Sequence, residues 1–376
     1  MQDVFSEILG QPRVRDYLRN STRSNCISHT LLFCGPAGSN KTSAAQILAN
    51  AILCEGGGGD NCQSCKRIKT KAHPDLHFYS PGGSNGYLVE QIREIISIAS
   101  MSAHSAKNKV FILDRVDMLG SACANALLKT LEEPPLDTYF ILLGRIKDAV
   151  LPTIVSRCQI VAFRYIPTAE AAGILSQNTG CDLKTATWCI AACAGSISSA
   201  IEFVKSNNSK KLRSLVLQTL GMLKRAQDSD IIKYSTDIIT AAHLPLDSYK
   251  AQCAQEASES KDFLAASALR QLEKSQKRTL NARSMQYYGQ IINIVQSWLR
   301  DLLMACENMN DYIINEDASN VILELSNFTN SAQVSQALQK AKNAQDAFTK
   351  GVSPELCVCA MLFEIREDLY SAGYSS

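Results

Sequence analysis

Residues 30 to 42 read T-L-L-F-C-G-P-A-G-S-N-K-T, an apolar run followed by a glycine-rich loop and the start of a helical pattern. This order is typical of a phosphate-binding loop, in which backbone N–H groups at a helix N-terminus cradle phosphates. Lys41 would reach the β- and γ-phosphates, and Thr42 would bind Mg²⁺. The pattern G-x-x-x-x-G-K-[ST] begins at Gly35, but Asn40 replaces its second glycine. Asparagine adopts left-handed backbone more readily than most residues, so we expect the loop to keep its shape while crowding the phosphates.

A second apolar run, K-V-F-I-L at residues 109 to 113, is followed directly by Asp114, where a metal-positioning carboxylate is expected. The next residue, where a general base is expected, is Arg115. An arginine cannot take a proton from water, and a positioned general base is worth about 10²–10⁴-fold in rate. We therefore expect very slow or absent hydrolysis at this chain's own site, and we expect Asp117 to point elsewhere. Weak nucleotide binding and a purely structural relic both remain open for the candidate residues Gly35, Gly38, Asn40, Lys41, Thr42 and Asp114.

Short apolar runs alternate with helical patterns over residues 1 to 165, which predicts a parallel sheet covered by helices on both faces. From Pro167 onward the strand signal fades, and residues 166 to 207 form a small helical unit that ends near a predicted linker, S-N-N-S-K-K. Residues 208 to 376 carry long helical patterns, with one apolar stripe at Ile291, Val295, Trp298 and Leu302 predicted to be core. The predicted strands are Thr30 to Cys34, Leu76 to Tyr79, Val110 to Leu113, Phe140 to Leu143 and Ile160 to Phe163.

The composition is that of an ordinary globular chain: 376 residues, 46% of them hydrophobic, with a formal net charge of +2. So small a charge creates no overall field toward DNA or anionic lipid. The N-terminus lacks the pattern of a signal peptide, and no run of eighteen apolar residues occurs, so we expect a cytoplasmic protein without a membrane partner. Most of the 14 cysteines lie singly in apolar segments and are expected to be reduced.

Several longer strings resemble one family. They are F-x-x-I-L-G-Q at 5 to 11, H-T-L-L-F-C-G-P-A-G at 29 to 38, H-P-D at 73 to 75, N-A-L-L-K-T-L-E-E-P-P at 125 to 135 and S-R-C at 156 to 158. Together they resemble bacterial DNA polymerase III clamp-loader subunits, AAA+ proteins of the gamma/tau and delta-prime type. The resemblance is dense to about residue 205, and V-S-P-E-L-C-V-C-A-M-L-F-E-I-R at 352 to 366 is similar to the family's last helix. It implies an AAA+ P-loop domain at 1–165, a helical lid at 166–207 and an all-α collar for oligomerisation at 208–376, although the collar helices equally fit a self-contained bundle.

Active ATPase members of this family carry a complete phosphate loop, a glutamate after the metal aspartate, a polar sensor residue and a lid arginine. This sequence departs at each point, with Asn40 in the loop, Arg115 after the aspartate, Leu143-Gly144-Arg145 in the sensor stretch and Ser198 at the lid position. The resemblance therefore implies a delta-prime-like, catalytically silent subunit with weak or absent ATP and Mg²⁺ binding. The alternative is an active gamma/tau-like ATPase, which Lys41, Thr42 and Asp114 favour.

The S-R-C string is the family's trans-acting arginine motif. The resemblance implies that Arg157 reaches the nucleotide site of a neighbouring gamma/tau subunit, whereas an isolated arginine would more often form a surface salt bridge. It also implies gamma/tau and delta subunits as partners. The beta sliding clamp and primer-template DNA would be contacted through the complex.

Three cysteines, Cys54, Cys62 and Cys65, follow the first helix in a C-x₇-C-x₂-C arrangement that suggests zinc. The family has a four-cysteine zinc module here, and its fourth ligand falls at Ile68, which cannot bind a metal. The zinc site is then either lost or completed by another group such as His73.

Overall fold

The computed structural model of the protein describes residues 3–59, 62–69, 73–82, 86–260, 266–349 and 352–370. The chain divides into two compact units. The first unit holds Met1–Glu170 and Ser196–Ser198, and the second holds Ala171–Gly195 and Ser199–Ser376. The three-domain division at residues 165 and 207 stays a prediction.

A five-stranded, fully parallel sheet organises the first unit, in the order β2-β3-β4-β1-β5. In its three central strands every residue except the half-buried Tyr139 is buried, which explains why they read as continuous apolar runs rather than alternating ones. All five predicted strands are confirmed, with ends shifted by one or two residues in β3, β4 and β5. The strands are β1 Thr30–Cys34, β2 Leu76–Tyr79, β3 Lys109–Leu113, β4 Thr138–Gly144 and β5 Gln159–Ala162.

Helices cover both faces of this sheet, as predicted. One apolar core joins α1 and α2 to the face that carries Phe33 and Ile112, and the other joins α4 and α5 to the face that carries Leu32 and Phe111. Helix α5 ends at Glu132 with Glu133 as its C-cap, directly before Pro134, because a proline disfavours helical backbone at the residue before it. The helices are α1 Pro12–Arg23, α2 Lys41–Leu53, α3 Gln63–Lys69, α4 Val89–Ser100, α5 Ser121–Glu132 and α6 Pro152–Val155.

The regular secondary structure of the second unit is all helical within the described residues. The predicted stripe is confirmed as core, because the side chains of Ile291, Val295, Trp298 and Leu302 are fully buried. The helices from Thr168 onward are α7 Thr168–Thr179, α8 Leu183–Ala192, α9 Ile197–Lys205, α10 Asn207–Met222, α11 Asp228–Ser260, α12 Ala266–Cys306, α13 Ser319–Ser326, α14 Ser331–Thr349 and α15 Pro354–Tyr370.

The predicted linker at S-N-N-S-K-K is wrong. Only Ser206 separates α9 from α10, and its side chain accepts a hydrogen bond from the backbone N–H of Ser209 at 3.1 Å. Serine and asparagine are frequent in loops for the same reason that they cap helices, because their side chains bond to nearby backbone groups. Here the polar stretch begins a helix.

None of the helices in the described ranges is, taken singly, long and apolar enough to cross a membrane. One sharply bent pair, Leu183–Ala192 with Ile197–Lys205, meets that criterion by length and composition alone.

Candidate functional site

The phosphate-binding-like loop joins β1 to α2 and has the backbone conformation that the sequence predicts. Asn40 adopts the left-handed region at φ 62° and ψ 24°, and Gly38 has φ 77°. A Cβ on Gly35 would lie 2.5 Å from the carbonyl oxygen of Phe163, so only glycine fits there. Asn40 is buried, and its Nδ2 donates to the carbonyl of Leu9 at 3.2 Å. The amide thereby anchors the loop to the N-terminal segment.

Lys41 is turned back onto its own loop. Its Nζ donates to the carbonyls of Gly35 at 2.6 Å and Pro36 at 2.7 Å, and to Oγ of Ser39 at 3.2 Å. Burial lowers the pKa of Lys41, and the charge of Asp114 opposes that shift. Because an ammonium group has three protons, these three acceptors account for all of them. A bound phosphate would have to displace these bonds. Thr42, the candidate Mg²⁺ ligand, is half-buried at the next position of α2.

Asp114 lies directly after β3, at the carboxyl edge of the sheet. Its backbone N–H bonds to the carbonyl of Tyr79 at 2.8 Å, and its Oδ1 accepts the backbone N–H of Arg115 at 2.9 Å. The hydroxyl of Tyr87 donates to the carbonyl of Asp114 at 2.5 Å, and burial raises the pKa of that tyrosine. These bonds fix the strand end and orient the carboxylate toward the neighbouring loop.

Asp117 is a site residue that the sequence analysis missed, and the expectation that it points elsewhere is wrong. Its Oδ2 lies 3.3 Å from Nε of Arg115, and its Oδ1 accepts the backbone N–H of Arg145 at 3.4 Å. Its charge also acts on Lys41, partly offsetting the pKa lowering that burial imposes there. The reason is a 3₁₀ turn over Val116–Met118, which folds Asp117 back toward the strand ends. No local pattern in the sequence signals this placement, because it also depends on β4 lying beside β3.

In the sensor stretch, Gly144 has no side chain, and the charge of Arg145 adds to the lowering of the pKa of Lys41 that burial causes. A Cβ on Gly144 would lie 3.0 Å from Cγ2 of Val150 and 3.8 Å from Sγ of Cys34. The position is thus packed against apolar groups, and burial raises the pKa of the Cys34 thiol. Ser198, at the predicted lid position, is the second residue of α9 and is half-buried.

Arg157 lies just beyond α6 and is held by groups of α5 and α6. Its Nε donates to Oε2 of Glu132 at 3.0 Å, and its Nη1 donates to the carbonyl of Thr153 at 3.1 Å and to Oγ of Ser156 at 3.4 Å. The side chains of Arg157 and Glu132 are 30% and 58% exposed. The contacts named here involve Nε and Nη1, and the arginine side chain stays partly exposed.

The three predicted metal ligands meet in space. The sulfur of Cys54 lies 3.7 Å from that of Cys62 and 3.5 Å from that of Cys65, and the last two sulfurs are 3.5 Å apart. Burial raises the pKa of Cys54 to about 11, whereas the backbone N–H of Cys65 lowers the pKa of Cys62. Tetrahedral zinc with bonds of about 2.3 Å separates its sulfurs by about 3.8 Å, so this donor set fits the ion.

His73 does not join this cluster. Its Nδ1 accepts the backbone N–H of Asp75 at 3.2 Å, and burial lowers its pKa. Among the described residues the potential metal-binding group consists of Cys54, Cys62 and Cys65 only. The expectation that His73 could complete the site is therefore not supported by its position.

Comparison with known proteins identifies relatives along most of the chain. Residues 10–167 match the family model of the DNA polymerase III delta subunit, and residues 256–367 match that of its C-terminal region. The chain is 32% identical over 219 residues to the DNA polymerase III subunit delta' of Bacillus subtilis, covering 57% of this chain and 65% of that protein. It is 36% identical over 177 residues to the tau subunit of the same organism, covering 46% and 31%.

Among solved structures, one matches nearly the whole chain at low similarity. It is a DNA polymerase III gamma subunit-related protein of Thermotoga maritima, 18% identical, with a TM-score of 0.42 over 94% of this chain and 99% of that one. The matches to the two Bacillus subtilis subunits cover 65% of the delta' subunit and 31% of the tau subunit, which is less than two thirds of the length of each relative.

Proposed function

Because the chain belongs to the family of DNA polymerase III delta-prime and gamma/tau subunits, we propose that it works as a delta-prime-like subunit of a cytoplasmic clamp loader in DNA replication. It hydrolyses little or no ATP itself, and it supplies Arg157 to the nucleotide site of a neighbouring gamma/tau subunit. Its partners are gamma/tau and delta subunits, and it meets the beta sliding clamp and primer-template DNA through the complex. Residues 166–207 serve as the lid, and residues 208–376 as the collar.

The ion pair between Arg115 and Asp117 carries this proposal. A cation stands directly after Asp114, where a water-activating carboxylate is needed, and its Nε is 3.3 Å from the nearest other carboxylate. Asp117 accepts from both Arg115 and the N–H of Arg145, so its two oxygens are already engaged. The loss of a positioned general base costs about 10²–10⁴-fold in rate. Lys41 adds to this, since its donors are satisfied by the loop itself.

The presentation of Arg157 supports the second half of the proposal. Its guanidinium is anchored through Nε and Nη1 while the side chain stays partly exposed, which suits a group that contacts a phosphate on another subunit. A guanidinium at such a site stabilises the charge that develops on the transferred phosphoryl group. In comparable systems this is worth about 10³–10⁵-fold in rate.

The test measures ATP turnover by the isolated chain and by a loader reconstituted with gamma/tau and delta subunits. We expect negligible turnover by the isolated chain. In the loader, Arg157→Ala should lower turnover at the one site beside this chain by about 10³-fold or more. Arg157→Lys is the matched control, because it keeps the charge but loses the planar fork, and it should recover only part of the rate. Turnover at the wild-type level in an assembled Arg157→Ala loader would refute the proposal.

The second candidate is an active gamma/tau-like ATPase. Lys41, Thr42 and Asp114 favour it, as does the 36% identity to a tau subunit. It requires appreciable hydrolysis by the isolated chain that Lys41→Ala abolishes. The delta-prime-like function requires that the isolated wild-type chain and its Lys41→Ala variant give the same negligible rate of ATP hydrolysis.

A further inference from the structure

We propose that the outer edge of β5 binds an extended segment of a partner protein, which adds to the sheet as a further strand and places an acidic side chain beside Arg13. β5 is the last strand of the sheet, and among the described strands it pairs with β1 alone. The strand and the helix beside it belong to the first unit. The proposal is independent of the ATPase function, because it uses no residue of the nucleotide-site argument.

The backbone of β5 directs its hydrogen-bonding groups alternately toward β1 and toward the outer edge. The N–H of Phe163 donates to the carbonyl of Cys34 in β1 at 2.7 Å, so Val161, two residues earlier, also faces β1. Ile160 and Ala162 therefore direct their N–H and C=O groups to the outer edge. Each residue offers one donor and one acceptor, and such a strand edge is a template for pairing with another chain.

A side chain of the protein itself already pairs with the next position along this edge. Oε1 of Gln11 accepts the backbone N–H of Arg164 at 3.2 Å, and Nε2 of Gln11 donates to the carbonyl of Arg164 at 2.8 Å. The buried amide of Gln11 thus bonds to the edge as the backbone amide of a neighbouring strand would. The contact also supports the alternation, because Arg164 follows Ala162 by two residues.

Helix α1 lies along the same edge and forms one wall of a groove. The groove has a volume of about 260 Å³. It is lined by Arg13, Val14 and Tyr17 of α1 and by residues 159–162 of β5. Because Gln11 is the N-cap of α1 and bonds to Arg164, the helix begins beside the C-terminal end of β5. Arg13 lies nearer that end, and Tyr17 lies one helical turn further along the groove.

Side-chain directions in β5 define what an added strand presents to α1. Val161 is buried in the same core as Val14, so its side chain points to the face of the sheet that α1 covers. A partner residue beside Val161 points to that face too, as does the residue two positions away from it. One of these two side chains meets Val14 and the exposed ring of Tyr17, which suits an apolar group. The other meets the exposed Arg13.

The charge of α1 favours an acidic partner. The helix carries four arginines and one aspartate. Arg15 pairs with Asp16 at 3.1 Å. Arg19 pairs with Asp3 at 2.6 Å, whereas Arg13 lines the groove. A carboxylate on the added strand is attracted by this field, and a lysine at the same place is repelled. The partner segment therefore carries an acidic and an apolar side chain two residues apart.

The first measurement is amide hydrogen exchange at residue resolution on the full chain without ligand. The N–H groups of Ile160 and Ala162 should exchange fast, and that of Val161 should exchange slowly because it bonds to β1. Protection of Ile160 and Ala162 equal to that of Val161 would mean that the edge is already covered, and it would overturn the proposal.

The second measurement selects displayed random peptides of twelve residues on the full chain. Enriched peptides should carry an acidic and an apolar residue two positions apart, and their binding should slow exchange at Ile160 and Ala162. Ala162→Pro should weaken binding by at least about 10-fold, because proline removes an N–H of the outer edge and its ring blocks the added strand. Proline is tolerated where the N–H of an edge strand faces outward. Ala162→Thr is the matched control, since it keeps the N–H, and it should bind like wild type.

Two further comparisons separate the charge from the backbone contacts. Arg13→Ala should weaken binding of an enriched peptide by about 2- to 5-fold, with a smaller effect at high salt, and Arg13→Lys should retain most of the affinity. A peptide with N-methyl groups on its edge-facing nitrogens keeps every side chain but should lose binding to the wild-type chain. This comparison needs no substitution in the protein, so a poorly folding Ala162→Pro chain would not block the test.

Four results would overturn the proposal in the binding experiments. Selection that enriches no peptide is one, and binding that neither Ala162→Pro nor N-methylation weakens is another. A dimer in sedimentation that Ala162→Pro disperses would assign the edge to a second copy of this chain. A labelled DNA duplex that competes with the peptide and depends on Arg13 would assign the groove to nucleic acid.

Discussion

The contact between Glu132 and Arg157 makes a sharp prediction about how the guanidinium is held. Nε of Arg157 lies 3.0 Å from Oε2 of Glu132, in a pair whose side chains are 30% and 58% exposed. Exposed ion pairs contribute about 0.2–1 kcal/mol, because solvent screens the charges and the side chains lose rotamer freedom. If the pair positions Arg157, Glu132→Ala should lower turnover at the neighbouring site by about 1.4- to 5-fold. This is far smaller than the loss expected for Arg157→Ala.

The assay is a double-mutant cycle in the reconstituted loader. Glu132→Ala should lower kcat without a matching change in KM for ATP, and added salt should shrink the effect. In the Arg157→Ala loader, Glu132→Ala should not change kcat further, because the guanidinium that Glu132 positions is absent. Glu133→Ala is the matched control, since it removes an equally exposed carboxylate one residue later. The reasoning is refuted if Glu132→Ala keeps its effect without Arg157, or if Glu133→Ala reproduces it.

Three further predictions concern stability. Trp298 is fully buried, and its Nε1 has no hydrogen-bond partner among the residues that the structure describes. Trp298→Phe should therefore cost much less in urea unfolding than the roughly 3–5 kcal/mol of Trp298→Ala; equal costs would contradict this. Asn40→Ala and Asn40→Gly both lose the hydrogen bond to the Leu9 carbonyl, but only alanine resists the left-handed region, so Asn40→Ala should be less stable than Asn40→Gly by about 1–2 kcal/mol in the same measurement. Burial raises the pKa of Asp75, but hydrogen bonds from the backbone N–H groups of His104, Ser105 and Ala106 more than offset this and hold the pKa below its usual value. The contribution of Asp75 to the free energy of unfolding is therefore present above the ordinary carboxyl pKa and is lost as the pH falls through the lowered pKa of the folded state. Thermal unfolding of Asp75→Asn should therefore depend less on pH below about 4 than that of wild type, and parallel curves would count against it.

The prediction of the three central strands succeeded because they are buried on both faces of the sheet. Continuous apolar runs such as Val110 to Leu113 are visible without knowing any partner strand. Strand ends were less accurate: β4 begins at Thr138, two residues before the predicted start, because its polar first residue pairs with Lys109 in the ladder. The linker prediction failed at Ser206 for a related reason, since one side-chain bond decides between loop and helix cap.

At the candidate site, residue identity was more predictable than residue environment. Asn40 in a left-handed loop position follows from the preferences of asparagine alone. The position of Asp117 depends on a 3₁₀ turn and on β4 lying beside β3, which no local pattern states. The ion pair of Arg157 with Glu132 could not be predicted from the sequence either, because the two residues are 25 positions apart in the chain.

The sequence by itself determined the chemical limits of this protein: an arginine that cannot act as a base after Asp114, an asparagine in the phosphate loop and three cysteines where four would close a zinc site. Those limits follow from what each side chain can donate, accept or bind. Only the tertiary structure decided which groups meet: Asp117 with Arg115, Glu132 with Arg157, and three sulfurs within 3.7 Å of one another. The physical reason is that hydrogen bonds and metal coordination depend on distance and direction, which the packing of strands and helices sets.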